Sequence, residues 1–449
     1  MKTIGMAVVA VALVCAPSAW SAGQNPASSD QQPQSSPSAD AESSLPSQSS
    51  AKITAYQLPP ELHEKAHRRS RIHFRLNLIG TAYGLVALWL ILRWKLAPKF
   101  RNWSERFSSR SFLQSMVFSP LLLLTIAFLT LPLDIYGEAV EKRYGISVQS
   151  WGSWSWDWIK GQLISLVLGT ILVWLLYVVI RRSPRRWWFY FWLISLPIGA
   201  FLVFLQPLVI DPLFHKFEPL QQKDPALVAS LEKMLQHAGQ DIPPERMFWM
   251  GAGEKTTSLN AYVTGIGSSK RLVVWDNTIA KMNTPEIVFV AGHETGHYVL
   301  KHIPKAMVCF AVLMLVAFYL GYRVIGWVLA RWGSHWEVRG LEDWASLPVL
   351  LLLLSVFSFV VTPISSAFSC YLEHQADQYG LEVTHGLTPD SGQAAARAFQ
   401  VLGEVGLSDP DPNPVNVFLF YDHPPVSDRI RFSVTYEPWK NGGDGEFVK

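Results

Sequence analysis

The sequence predicts a mostly α-helical, polytopic integral membrane protein of about six transmembrane helices, with a polar region that carries a short β-hairpin. Three observations lead there. Of 449 residues, 49% are hydrophobic and 16% charged, against about 25% charged in an ordinary soluble domain, so apolar surface must be hidden somewhere other than one compact core. Six apolar runs, at about 76–94, 113–133, 162–180, 187–210, 306–329 and 346–370, approach the roughly 20 residues that a helix needs to cross ~30 Å of hydrocarbon. Trp94, Trp103, Trp151, Trp154, Trp156, Trp187 and Trp188 crowd the ends of these runs, as aromatic belts do at a membrane–water boundary.

Residues 1–22 open with Lys2, continue as a short apolar stretch to Cys15 and end in small residues around Ala19 and Ser21, the layout of a secretory signal peptide. The alternative is an uncleaved first anchor. Residues 23–52 are rich in Ser, Gln, Pro, Ala and Asp and contain no aromatic residue, a composition that favours a disordered linker. An N-terminal membrane domain follows at 53–210 with four of the runs. A second region, 211–435, holds the polar stretch and the runs 306–329 and 346–370, and 436–449 forms a C-terminal tail.

Charge placement gives an orientation. Lys+Arg 38 against Asp+Glu 35 is too balanced for a nucleic-acid binder. Arg93, Lys95, Lys99, Arg101, Arg106 and Arg110 follow the first run, Arg181, Arg182, Arg185 and Arg186 the third, and Arg323, Arg331 and Arg339 the fifth. These loops share one face, which reads as cytoplasmic. The polar stretch from 211 to 305 then lies outside, periplasmic if the source is bacterial, and the lipid bilayer of the plasma membrane is the expected surrounding.

The three cysteines, Cys15, Cys309 and Cys370, are too scattered for a disulfide framework or a cysteine zinc cluster, so a metal site would use His and carboxylates. Thr284-Pro285-Glu286 has the form of a helix start, and the helix it opens carries His293-Glu294-Thr295-Gly296-His297. Residues four apart face the same way, so His293 and His297 can hold one zinc ion with Glu294 beside an open position. Hydrolysis at such a site needs neutral nitrogen ligands, an exchangeable water and a carboxylate to take its proton. Two histidines do not suffice, and Glu373 is the candidate third ligand, with Asp377 one helical turn further on. One of these acids could ligate while the other accepts the second ring N–H of a ligand histidine. Ala261-Tyr262-Val263-Thr264 and Leu272-Val273-Val274-Trp275 read as two strands joined through Gly265, Gly267, Ser268 and Ser269, an edge that could bind an extended peptide or merely cover the core. His423, in Asp422-His423-Pro424-Pro425, sits in a stiffened turn.

Four blocks together resemble the type I CAAX prenyl proteases, zinc-dependent integral membrane metalloendopeptidases related to bacterial heat-shock membrane proteases. They are Leu58-Pro59-Pro60-Glu61; Lys255 to Tyr262 with Trp275-Asp276; HETGH; and EHQAD with DHPP. The resemblance covers roughly residues 53–435. It implies a zincin-like catalytic region, one zinc ion per chain on His293, His297 and Glu373, and Glu294 as the base that activates water. It also implies Asp377 orienting a ligand, Asn260 and the adjoining Ala261 holding the backbone of a polypeptide substrate, and His423 stabilising the oxyanion. The expected orientation differs from that of eukaryotic members, whose catalytic face is cytosolic, so the resemblance implies the reaction more securely than CAAX-protein processing. The readings that compete with it are a non-catalytic scaffold or transporter-like protein with a structural zinc, and a hydrolase of lipid or glycan.

Overall fold

A computed structural model describes residues 52–265 and 269–449. The expected signal peptide, nearly all of the expected linker, and Gly267 and Ser268 of the expected turn lie outside the described residues. Long helices dominate the membrane region: α1 (Pro60–Arg93), α2 (Leu96–Phe107), α3 (Ser111–Arg143), α4 (Trp151–Arg182) and α5 (Trp187–Leu205). After the polar stretch come α7 (Thr284–Val299), α8 (His302–Trp332) and α9 (Leu347–Thr384). Among the described residues, five helices are long and apolar enough to cross a membrane, those containing α1, α3, α4, α8 and α9. Their outward faces are bare hydrocarbon: Phe128 is 73% exposed, Val167 63% and Trp327 63%. Water would not tolerate so continuous an apolar belt, and a bilayer does.

The fourth expected run, 187–210, is not one straight helix. It bends by 41° where α5 gives way to a π-turn at Gln206–Ile210. Pro207 lacks an N–H and crowds the preceding turn, which accounts for the break. Arg271, reaching over from the sheet, donates to the Pro207 carbonyl, supplying a partner next to the disrupted turn.

The basic loops do share one end of the bundle. Arg101 pairs with Asp343 at 2.6 Å, Lys95 with Glu337 at 2.6 Å and Arg339 with Glu105 at 2.8 Å, while Arg181 lies 4.2 Å from the ring centre of Trp344. Behind them a membrane-side core gathers Phe118, Leu122, Leu176, Tyr177, Phe191 and Trp344.

At the other end, the two expected strands belong to a four-stranded mixed sheet in the order β1-β2-β4-β3: β1 (Lys216–Pro219), β2 (Met247–Gly251), β3 (Ala261–Thr264) and β4 (Arg271–Trp275). β3 and β4 form the antiparallel hairpin, and β2 runs parallel to β4. β3 is one of the two edge strands, β1 being the other, and it packs on α7. Much of the polar block from Lys255 to Tyr262 with Trp275-Asp276 is scaffolding. Asp276 accepts from the backbone N–H groups of Ala252, Gly253 and Asn277, and Asn277 donates to the carbonyls of Thr256 and Ser258. Lys255 reaches Asp157 on α4 at 2.5 Å and the Phe214 carbonyl at 2.7 Å, tying the sheet to the membrane helices.

An outer core of Leu231, Phe289, Tyr379, Phe399 and Ile430 joins α6 (Pro225–His237), α7, α9, α10 (Ser391–Val405) and, past the short α11 (Pro414–Phe420), α12 (Val426–Thr435). The crossing of α7 and α9 is the one that builds the site, and it is close because small residues line it. A Cβ on Gly296 would meet the Tyr379 ring at 2.9 Å, and one on Gly380 would meet the His293 backbone nitrogen at 3.1 Å.

Candidate active site

α7 starts one residue earlier than the sequence suggests. Asn283, not Thr284, is the cap: its side chain accepts from the Glu286 N–H at 3.2 Å, and Glu286 accepts in return from the Asn283 N–H at 3.0 Å. Asn at this position satisfies a backbone donor that Thr284, already helical, cannot. From there the apolar face of α7 is driven into the outer core, so that His293, Glu294 and His297 are all buried. The spanning helix α9 does not stop at the membrane surface but continues into the outer domain, where Glu373 and Asp377 are buried one turn apart.

These elements bring three donors together. His293 Nε2 lies 3.2 Å from His297 Nε2 and 3.2 Å from Glu373 Oε2, and His297 Nε2 lies 3.4 Å from Glu373 Oε1. A tetrahedral ion with bonds of ~2.0–2.1 Å spaces its ligands about 3.3 Å apart. Two ring nitrogens facing each other at that distance, next to a carboxylate, suit a cation between them. Glu294 supplies a second sign: its Oε2 is buried and has no hydrogen-bond partner among the described residues, an expensive state for a carboxylate oxygen that has nothing to act on. The donor set therefore fits a metal ion with one position left open.

Around this group the supporting contacts are specific. His293 Nδ1 stands 2.8 Å from Asp377 Oδ1, which turns Nε2 inward. Burial works against a charged His293, but Asp377 and Glu373 outweigh it and raise its pKa to about 9, whereas burial holds that of His297 well below the usual histidine value. Arg429 grips Asp377 with two hydrogen bonds, at 2.8 and 2.5 Å, and lies over the Phe399 ring. His423 Nε2 is 3.2 Å from Glu373 Oε2, with its Nδ1 2.9 Å from Asp422. Burial disfavours the Asp422 carboxylate, yet His423 beside it holds its pKa below the ordinary value.

His293, Glu294, His297, Glu373, Asp377 and His423 thus meet in one place. Asn260 and Ala261 come from the sheet side, just before and at the start of β3, which packs on α7. Asn260 is clamped through its backbone, its N–H donating to Thr278 Oγ1 and its carbonyl accepting from the same hydroxyl and from Trp275, and Ala261 begins the edge strand beside α7. Two residues of the site had no assigned role in the sequence reading. Arg429 could have been sought as the cation that two acids on one helix face require. His302, whose Nδ1 is 3.1 Å from His297 Nδ1, gave no such signal.

Fold and site together define a polytopic membrane metalloprotease built around an HExxH helix. The chain belongs to peptidase family M48: residues 221–435 match that family, and residues 41–216 match the CAAX prenyl protease N-terminal family, described as five membrane helices. It is 38% identical to the uncharacterized metalloprotease YhfN of Bacillus subtilis over 84% of this chain and 86% of that protein. It is 25% identical to CAAX prenyl protease 1 of Saccharomyces cerevisiae over 84% of this chain and 89% of that one. The crystal structure of S. mikatae Ste24p has the same fold, with a TM-score of 0.70 at 22% identity, covering 83% of this chain and 88% of that chain.

Proposed function

We propose that this chain is a membrane-embedded zinc endopeptidase that cuts peptide bonds of membrane-associated or exported proteins. The observation that carries the reading is the placement of Glu294, buried, with its Oε2 lacking a hydrogen-bond partner among the described residues, and next in sequence to one of three converging donors. In a closed structural site that carboxylate would have no duty. His293, His297 and Glu373 would hold zinc, which when bound supplies Lewis acidity to water and to the scissile carbonyl. Glu294 takes the proton of the attacking water. Asp377, braced by Arg429, keeps the His293 ring in register. β3 receives an extended substrate backbone along its free edge, with Asn260 and Ala261 at its start. His423 donates to the oxygen on which negative charge develops. Residues 53–210 form the membrane domain that houses this peptidase region, 211–435.

His423 and Asn260 should fail differently. His423→Ala should lower kcat by about 10²–10³ with little change in KM, because its interaction strengthens only as charge develops. Asn260→Ala should chiefly raise KM. Steady-state kinetics on a peptide substrate decide this, and a His423→Ala enzyme that loses metal with kcat unaffected assigns that histidine to structure.

The catalytic face is extracytoplasmic, in a bacterium the periplasmic side of the plasma membrane, because the clustered basic loops mark the opposite end as cytoplasmic. A cysteine placed at Ser183 should be shielded from an impermeant thiol reagent in intact cells, and one at Lys223 labelled. The reverse pattern would put the site where prenylated CAAX proteins could reach it. Endopeptidase action itself is tested by reconstituting the protein in liposomes with an unfolded, membrane-anchored polypeptide. New internal amino termini are expected, and an intact polypeptide would favour a non-catalytic scaffold.

A further inference from the structure

We propose that His302, backed by Gln375, is a positioning pair that fixes the tautomer and orientation of His297; the inference rests on the zinc reading of the site. The two imidazoles meet edge to face, with ring centres 5.1 Å apart at 77°, and their Nδ1 atoms are 3.1 Å apart. One proton has to lie between those two nitrogens, and the rest of the site says which ring carries it. His297 turns Nε2 toward His293 and Glu373, so Nε2 must keep its lone pair and Nδ1 must hold the hydrogen. His302 Nδ1 is then the acceptor, and the His302 hydrogen is on Nε2.

Gln375 completes the line. Its Nε2 donates to the Tyr371 hydroxyl at 3.2 Å, which leaves Oε1 as the acceptor end of the amide. Gln375 Oε1 and His302 Nε2 are both buried and neither has a hydrogen-bond partner among the described residues, while the Gln375 side chain lies near enough to that ring to act on it. An orphan donor and an orphan acceptor side by side are complementary. Thus each metal-facing histidine has its own support, Asp377 for His293 and the His302–Gln375 pair for His297.

The backbone is bent to make this possible. α7 ends at Val299, and Lys301 adopts φ 57 and ψ 39, the left-handed region that a residue with a Cβ disfavours, before α8 begins at His302. That turn swings His302, 1% exposed, back onto the helix that precedes it. Disfavoured backbone held in place by its surroundings collects at functional sites.

The test uses the full chain in detergent, stripped of metal and titrated with zinc against a chelating competitor, with thermal unfolding of the metal-free forms as the control. His302→Leu should weaken zinc binding about 10- to 100-fold. His302→Asn, whose side-chain oxygen can take the place of Nδ1 as acceptor, should recover most of that loss, and Gln375→Leu, at a partly exposed position, should give a smaller loss. The metal-free melting temperatures should not follow this order. Equal affinity in wild type and His302→Leu, or no rescue by His302→Asn, overturns the inference; should His302→Leu not fold, undiminished affinity in Gln375→Leu overturns the pairing. A wild-type chain that binds no zinc at all overturns instead the reading of the metal site on which the inference depends.

Discussion

Replacing Glu294 with glutamine should abolish peptide hydrolysis while leaving close to one zinc ion per chain. The substitution keeps the shape of the side chain and removes only its capacity to accept a proton, and general bases contribute about 10²–10⁴ in rate. Glu294 is buried on α7, and its Oε2 has no hydrogen-bond partner among the described residues, so the substitution breaks no hydrogen bond at that atom. Fold and metal content should therefore survive. Metal analysis beside a peptidase assay reads both quantities, and loss of zinc in Glu294→Gln would move this residue from proton handling to ligation.

Glu373→Ala should fail in the opposite manner, losing metal and activity together. Glu373 touches His293, His297 and His423 at once, and without its charge two imidazoles alone hold an ion weakly. The variant also leaves the raised pKa of His293 without one of its two supporting acids, which should make the metal-free ring easier to deprotonate. Full zinc occupancy in purified Glu373→Ala would remove this residue from the ligand set.

Much of this architecture was legible because it follows from constraints that act along the chain. A bilayer demands length and apolarity of a helix, so each spanning helix coincides with an apolar run. The spacing of His293 and His297, and of Glu373 and Asp377, states which face of a helix each pair shares. The break at Pro207 was obscured because prolines are tolerated within membrane helices, as Pro197 is inside α5. β1 and β2 went unread because Lys216–Pro219 and Met247–Gly251 carry no β-branched residue, unlike the Val and Thr of β3 and the paired valines of β4. His302 was hidden for a geometric reason: five residues after His297, a continuous helix would point it well away from the site, and only the left-handed turn at Lys301 brings it back. Arg429 meets Asp377 from α12, a contact that no local pattern encodes.

The central claim is that one zinc ion held by this chain makes it a peptidase. The most direct test is to strip purified wild-type protein with a chelator and follow hydrolysis of a fixed peptide as zinc is returned in sub-stoichiometric steps. Activity should be absent at the start, rise in proportion to bound zinc and level off at about one ion per chain. Hydrolysis that persists in the stripped protein, or zinc that binds one per chain without restoring cleavage, would contradict the account.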